Sequence, residues 1–205
     1  MKIYKFYTGL ASKYAHIHAQ LGQDTSIGSK IKVMWDDWLA KGNEVPDFVF
    51  GMYIICRKSI ALELKKNFNG LDYLDFQWTE NPKEIIAKDK KRLKWLPNEK
   101  VELCALISKV DFPYLSQSTL ELGISGQTGE SGWIKKIIGS ASLKGTTITP
   151  REEGKGIFFS EDIVSNYDFF TAEKSSILLC TERVKKFIEY EKYSNVFLLE
   201  VGEII

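Results

Sequence analysis

The sequence predicts a single α+β domain spanning residues 1–205, with a mixed, mostly antiparallel sheet flanked by helices. Three observations carry that expectation. A run of strand, helix and strand occurs twice, near residues 52–78 and 176–201. Within each copy the apolar period changes from 3.6 to 2, and those periods demand different backbones. Between the copies lies a Gly-, Ser- and Thr-rich stretch with hairpin signals, without the sustained rhythm of a parallel βαβ protein.

In the first copy, Ile54-Ile55-Cys56 leads to Ile60, Leu64 and Phe68, a turn at Asn69-Gly70, and Leu74, Phe76 and Trp78. In the second, Leu178-Leu179-Cys180 leads to Val184 and Ile188, a turn at Ser194-Asn195, and Phe197, Leu199 and Val201. The copies align with one residue of slack and are expected to share one sheet or to sit on two related sheets. Residues 2–7 read as a first strand. Tyr14 to Gln20 reads as a short helix or an irregular segment. Residues 31–39 form a short amphipathic element ended by Gly42-Asn43 and Pro46.

Asn81-Pro82-Lys83-Glu84 is a helix start, with a cap, proline at the first helical position and a glutamate three residues after the cap. That helix is expected to run to about Trp95 and stop before Pro97. Residues 100–110 form an apolar central strand ended by Asp111-Phe112-Pro113. Trp133 to Ile138 and Ser142 to Thr149 are expected to pair as one hairpin turning near Gly139-Ser140. Ile157-Phe158-Phe159 is a short apolar run, and Ser160-Glu161-Asp162 caps a further helical turn.

With 28 basic and 27 acidic residues, the net charge of +1 provides no global attraction to nucleic acid or anionic membrane. No run approaches the roughly 18 apolar residues of a membrane span. Met1 to Phe6 opens as a strand, without the features of a secretory signal, so a soluble cytoplasmic protein is expected. Cys56, Cys104 and Cys180 lie in apolar runs without metal-ligand spacing and read as reduced core thiols.

Candidate chemistry is sparse. Gly123, Gly126, Gly129 and Gly132 recur every third residue, but no Gly-Lys-Ser/Thr follows, so a surface loop is expected rather than a phosphate cradle. His16 and His18 lack further ligands and read as surface polar residues. Lys88, Lys90, Lys91, Arg92 and Lys94 crowd one predicted helix, with Ile85, Ile86, Leu93 and Leu96 as its buried stripe; a solvated basic face follows. Trp35-Asp36-Asp37-Trp38 is the most distinctive segment. One tryptophan there suits the core, and the other, beside two carboxylates, suits a protein interface. No catalytic constellation, metal site or cofactor motif stands out. Two alternatives stay open: an enzyme with a dispersed site, such as a thiol-dependent hydrolase or transferase using Cys56 or Cys180, and a nucleic-acid-binding module using the basic helix over residues 83–94.

Several segments recur in a recognisable order: Met1-Lys2-Ile3-Tyr4-Lys5, Val45-Pro46-Asp47-Phe48 and the unit after Cys56. Val110-Asp111-Phe112 with Ser118, Ile157-Phe158-Phe159 and Asn195-Val196-Phe197 follow. In this order the chain resembles the immunity proteins of bacterial polymorphic-toxin and contact-dependent inhibition systems. Within these it more closely resembles a family first catalogued as a domain of unknown function and then linked to toxin loci. The resemblance implies a non-enzymatic cytoplasmic protein, without a cofactor, that binds a cognate toxin C-terminal domain and occludes its active or functional surface. Such an interface needs about 800 Å² per partner with opposed charge. The acidic groups near aromatics are the expected toxin-binding residues: Trp35, Asp36, Asp37, Trp38, Asp72, Asp75, Glu80, Glu152 and Glu153. Against a basic nuclease these acids would stand in for phosphate.

Overall fold

A computed structural model describes residues 1–11, 13–19, 26–37, 42–89, 93–124, 129 and 131–205. Its first half contains β1 (Lys2–Thr8), β2 (His16–Ala19), β3 (Lys30–Asp36), β4 (Phe48–Val49) and β5 (Ile54–Arg57). Helix α1 (Lys58–Asn67), β6 (Leu71–Trp78) and α2 (Pro82–Ile86) follow. Next come β7 (Leu103–Ser108), β8 (Asp111–Phe112), β9 (Leu120–Ile124), β10 (Ser131–Ile137), β11 (Ser142–Lys144) and β12 (Thr147–Thr149). The chain closes through β13 (Ile157–Phe159), α3 (Glu161–Val164), β14 (Phe169–Ala172), β15 (Leu178–Thr181), α4 (Glu182–Glu191) and β16 (Val196–Ile204).

The architecture is mixed α+β and dominated by strands. Two six-stranded sheets hold most of them, in the orders β2-β3-β6-β7-β5-β4 and β13-β16-β1-β15-β14-β8. Most strand neighbours are antiparallel; β3 with β6, β13 with β16 and β8 with β14 are parallel. Helix α1 joins β5 to β6, which both pair antiparallel with β7. Helix α4 joins β15 to β16, which both pair antiparallel with β1. The N-terminal strand is thus the centre of the second sheet, and β7 the centre of the first.

Both sheets curl. In the first, Ile17 N–H donates to the Phe50 carbonyl at 3.1 Å and Ala15 N–H to that of Glu44 at 2.9 Å, linking β2 to the β4 side. In the second, Leu115 N–H donates to the Phe158 carbonyl at 2.8 Å, linking the chain after β8 to β13. Each curl encloses an apolar cluster: Ile17, Ile31, Val49, Ile55 and Leu74 in the first, Ile3, Phe159, Phe170, Leu179 and Val201 in the second. A third cluster joins the sheets and takes the apolar stripes of both long helices, with Ile60 and Leu64 from α1 and Val184 and Ile188 from α4. Phe6, Phe48, Phe169, Leu106, Leu178 and the three cysteines complete that shared core.

Several expected elements differ. The segment after the Asn81 cap is helical only to Ile86, and Ile85 and Ile86 are 66% and 79% exposed instead of forming a buried stripe. The two isoleucines are adjacent, and positions 88 and 89 are charged, so no apolar partner sits a turn away to hold further helix. Lys90, Lys91 and Arg92 lie outside the described residues. The region after β8 forms two hairpins, not one: β9 pairs with β10, and β11 with β12 around Gly145, which has φ +65°. Residues 30–36 are a strand, so Trp35 and Asp36 point to opposite faces. Residues 16–19, expected as helix or irregular chain, are also a strand.

Candidate functional site

Trp35 ends β3, and the parallel register of that strand on β6 sets Val33 opposite Trp78. This brings two tryptophans 43 positions apart into contact: the rings of Trp35 and Trp78 lie 4.8 Å apart at 31°. Phe76 meets Trp78 edge-on at 5.9 Å. Together they floor a groove of about 950 Å³ whose other wall is the chain from Leu96 to Leu103. Trp78 remains 39% exposed.

The groove is held by the start of α2. Asn81 caps that helix by accepting from Lys83 N–H at 2.9 Å, while its own N–H donates to Glu84 Oε1 at 3.2 Å. The Asn81 amide then reaches back to β3, donating to the Trp35 carbonyl at 3.0 Å and to Asp37 Oδ1 at 3.3 Å. Lys83 also pairs with Asp37 and holds its carboxyl below the ordinary carboxylate range. Thr79 N–H and hydroxyl both donate to the Val33 carbonyl, at 2.8 and 3.1 Å. A capping box therefore fixes the tryptophan it follows in space.

Carboxylates rim the aromatic floor: Asp75, Glu80, Glu84, Glu99 and Glu102, against Lys30, Lys58 and Lys100. Asp75 pairs with Lys58 at 2.8 Å, and Glu99 with Arg57 at 3.5 Å. Of the residues expected to form an acidic interface, Trp35, Asp75 and Glu80 line this groove, and Asp37 adjoins it through Asn81. Asp36 ends β3 opposite His16. Trp38 lies outside the described residues.

Asp72 is not an exposed acid. It is 7% exposed, and Lys65 (2.7 Å), Tyr73 N–H (2.9 Å) and Lys109 (3.5 Å) all engage its oxygens. Burial works to raise its pKa, but these donors outweigh it and the carboxyl lies below its usual range. Glu152 and Glu153 sit on the loop after β12, by the second sheet. Arg151, its side chain buried, ties that loop to β16 through Glu200 at 2.8 Å and through Glu203. Sequence reading missed the contributions of Trp78, Phe76, Glu99 and Glu102. The alternation in β6 marked the first two as strand positions, but nothing local signals their contact with Trp35.

All three cysteines are free and fully buried. Burial pushes the thiols of Cys56 and Cys180 well above their ordinary pKa, which keeps them protonated at neutral pH. The glycine series does not form a cradle: Gly123 lies in β9 beneath the Trp133 indole, which fills the space a Cβ would need, and Gly126 lies outside the described residues. No group of three or more potential metal ligands occurs among the described residues, and no described helix is long and apolar enough to cross a membrane.

His18 is exposed, but His16 is buried against Phe50, ring centroids 5.3 Å apart. Neither of its ring nitrogens has a hydrogen-bond partner among the described residues. Burial lowers its pKa below 6.5. A histidine harder to protonate when folded contributes stability that is present above the unfolded value and lost as pH falls through it. Urea midpoints at pH 7.5 and 5 should therefore converge less in the wild type than in His16→Leu. Parallel loss of stability in the two proteins would show that His16 does not titrate with folding.

No protein-family model matches the chain, and no curated protein matches it.

Proposed function

We propose that this is an immunity protein, which binds a cognate toxin domain in the cytoplasm and neutralises it by covering its active or functional surface. The observation that carries the proposal is the closely packed, partly exposed Trp35–Trp78 pair on a groove rimmed by Asp75, Glu80, Glu99 and Glu102. An exposed aromatic anchor ringed by charge is the usual composition of an interface hot spot. The carboxylate rim suits a basic partner, such as a nuclease face that binds phosphate. The resemblance in segment order to toxin-immunity proteins supports the same reading.

The scaffold fits a rigid binder. We read β5-α1-β6 and β15-α4-β16 as copies of one unit, each helix flanking a curled sheet. Support comes from the pairing: each unit straddles one antiparallel strand, and its final strand takes a parallel neighbour, β3 in one case and β13 in the other. The strand each unit straddles comes from the opposite half of the chain, β7 for the first and β1 for the second. The N-terminal strand β1 thus lies in the sheet that the second half of the chain builds.

The buried, protonated thiols weigh against a cysteine nucleophile. The ending of α2 at Ile86 leaves Lys88 and Lys94 off that helix, which weighs against the nucleic-acid reading.

The test is co-purification with the toxin domain encoded immediately upstream, followed by affinity measurement. Trp78→Ala should weaken binding by about 2 kcal/mol, roughly 30-fold. The double charge reversal Asp75→Lys with Glu80→Lys should slow association and make it less salt-sensitive. Unchanged affinity in both variants would remove this groove as the interface, and absence of any complex would refute the function.

A further inference from the structure

Away from the aromatic groove, a second crevice of about 880 Å³ opens where the two curled sheets meet. The central strands supply both its sides: Lys5, Phe6 and Tyr7 from β1, and Leu106, Ile107 and Ser108 from β7. The chain just ahead of β5, with Met52, and just ahead of β15 closes its mouth. The lining is aliphatic and aromatic, with hydroxyls of serine, threonine and tyrosine among it. Volume and lining match those of small-molecule sites, which span roughly 300–1,000 Å³ and carry a few polar groups on an apolar wall.

Among the described lining residues, one is charged. Lys5 sits between Leu179 of β15 and Leu199 of β16 in the sheet, both buried. It makes no ion pair, hydrogen bond or cation–π contact with any described residue, whereas neighbouring Lys2 is paired with Glu200. A half-buried ammonium beside an apolar cavity, with no carboxylate facing it among the described residues, is costly unless an anion arrives. Burial accordingly lowers the Lys5 pKa.

From this geometry we infer a binding site for a small amphipathic carboxylate, an acyl chain or ring that fills the crevice and sets its carboxylate on Lys5. Charge complementarity chooses the occupant. A neutral apolar molecule would leave the ammonium desolvated and unpaired, and a cationic amphiphile would be repelled. The site lies apart from Trp35 and Trp78, so ligand binding here and toxin binding there are separable.

The experiment is calorimetric titration of the full chain with decanoate below its micellar concentration, with amide chemical-shift mapping. Saturable one-to-one binding is expected, with shifts at Phe6, Tyr7, Ile54 and Leu106. Decanol should bind at least tenfold more weakly, as should decanoate to Lys5→Met. Met52→Glu, a change at an exposed position that places a like charge on the mouth, should weaken decanoate binding to a similar degree and serves if Lys5→Met does not fold. The inference is overturned by no saturable binding, by equal affinity for decanol, or by unchanged affinity in the folded variants. Sedimentation as a dimer without decanoate uptake would also overturn it and assign the crevice to a second copy of the chain.

Discussion

Replacing Phe169 with alanine should lower the unfolding free energy by about 3–5 kcal/mol, the cost of a large cavity in a core that cannot collapse onto it. Phe169 is fully buried in the cluster between the sheets. Its ring stacks on Phe6 of β1 at 5.9 Å and meets Phe68, just past α1, edge-on at 6.0 Å. One side chain of β14 thus touches both the central strand of its own sheet and the residue that ends the helix of the other. Phe48 on β4 is placed alike: it pairs in register with Cys56, as Phe169 does with Cys180, and packs on Phe6 at 6.1 Å and Tyr193 at 6.0 Å. Phe48→Ala should cost a similar amount. Since a typical domain is stable by about 5–15 kcal/mol, the double variant should fail to fold. Urea unfolding followed by fluorescence checks this. A loss below about 1 kcal/mol for either single change would mean the sheets do not depend on this core.

How much of this was legible in the sequence varied with how locally each feature is determined. Ile60 and Leu64, and Val184 and Ile188, repeat at the helical period because each pair is buried on one face of a helix, so α1 and α4 could be read directly. In β3, Ile31, Val33 and Trp35 alternate with Lys30, Lys32 and Met34, a period of two that marks a strand but in so short a run also suits a generic amphipathic element. The Asn81 capping box was correctly placed, yet a cap sets only where a helix begins. Its length depends on packing, which ends with Ile86. His16 was unreadable as a buried residue because its strand is four residues long and exposes its other histidine. The aromatic groove was half visible: Trp35, Asp75 and Glu80 stood out by type, whereas Trp78 joins them only through the parallel register of β3 on β6. Pairing between distant strands leaves little trace in either strand alone. Asp72 misled for the complementary reason, since its carboxylate is engaged by Lys65 and Lys109 from different elements.

Asp168→Ala should destabilise the protein by about 2–4 kcal/mol, because it strands the buried Thr181 hydroxyl and the part-buried Asn69 N–H at once. Asp168 is 7% exposed and stands just before β14 in the second sheet, but it serves the first. Its carboxylate accepts from the N–H of Asn69 at 3.2 Å, in the turn that follows α1, and from Thr181 hydroxyl at 3.3 Å and Arg183 at 3.2 Å. The Asn69 carbonyl answers by accepting from Asp168 and Phe169 N–H, at 3.1 and 3.0 Å. Gly70 completes that turn with φ +93°, and a side chain there would run into the Phe169 carbonyl. The same exchange occurs in the opposite sense. Asp47, just before β4 in the first sheet, accepts from Ser194 N–H at 2.8 Å and its hydroxyl at 2.9 Å in the turn after α4, while the Ser194 carbonyl accepts from Phe48 N–H at 3.2 Å. Each sheet's aspartate therefore clasps the helix-to-strand turn of the other. Asp47 is more open to water, so Asp47→Ala should cost only about 1–2 kcal/mol, and Asp168→Asn, which keeps one acceptor, less than Asp168→Ala. The ranking is the test in chemical denaturation. If Asp168→Ala proves no worse than Asp47→Ala, burial of the clasp does not set its strength, and interlocking of the two sheets must rest on the phenylalanines alone.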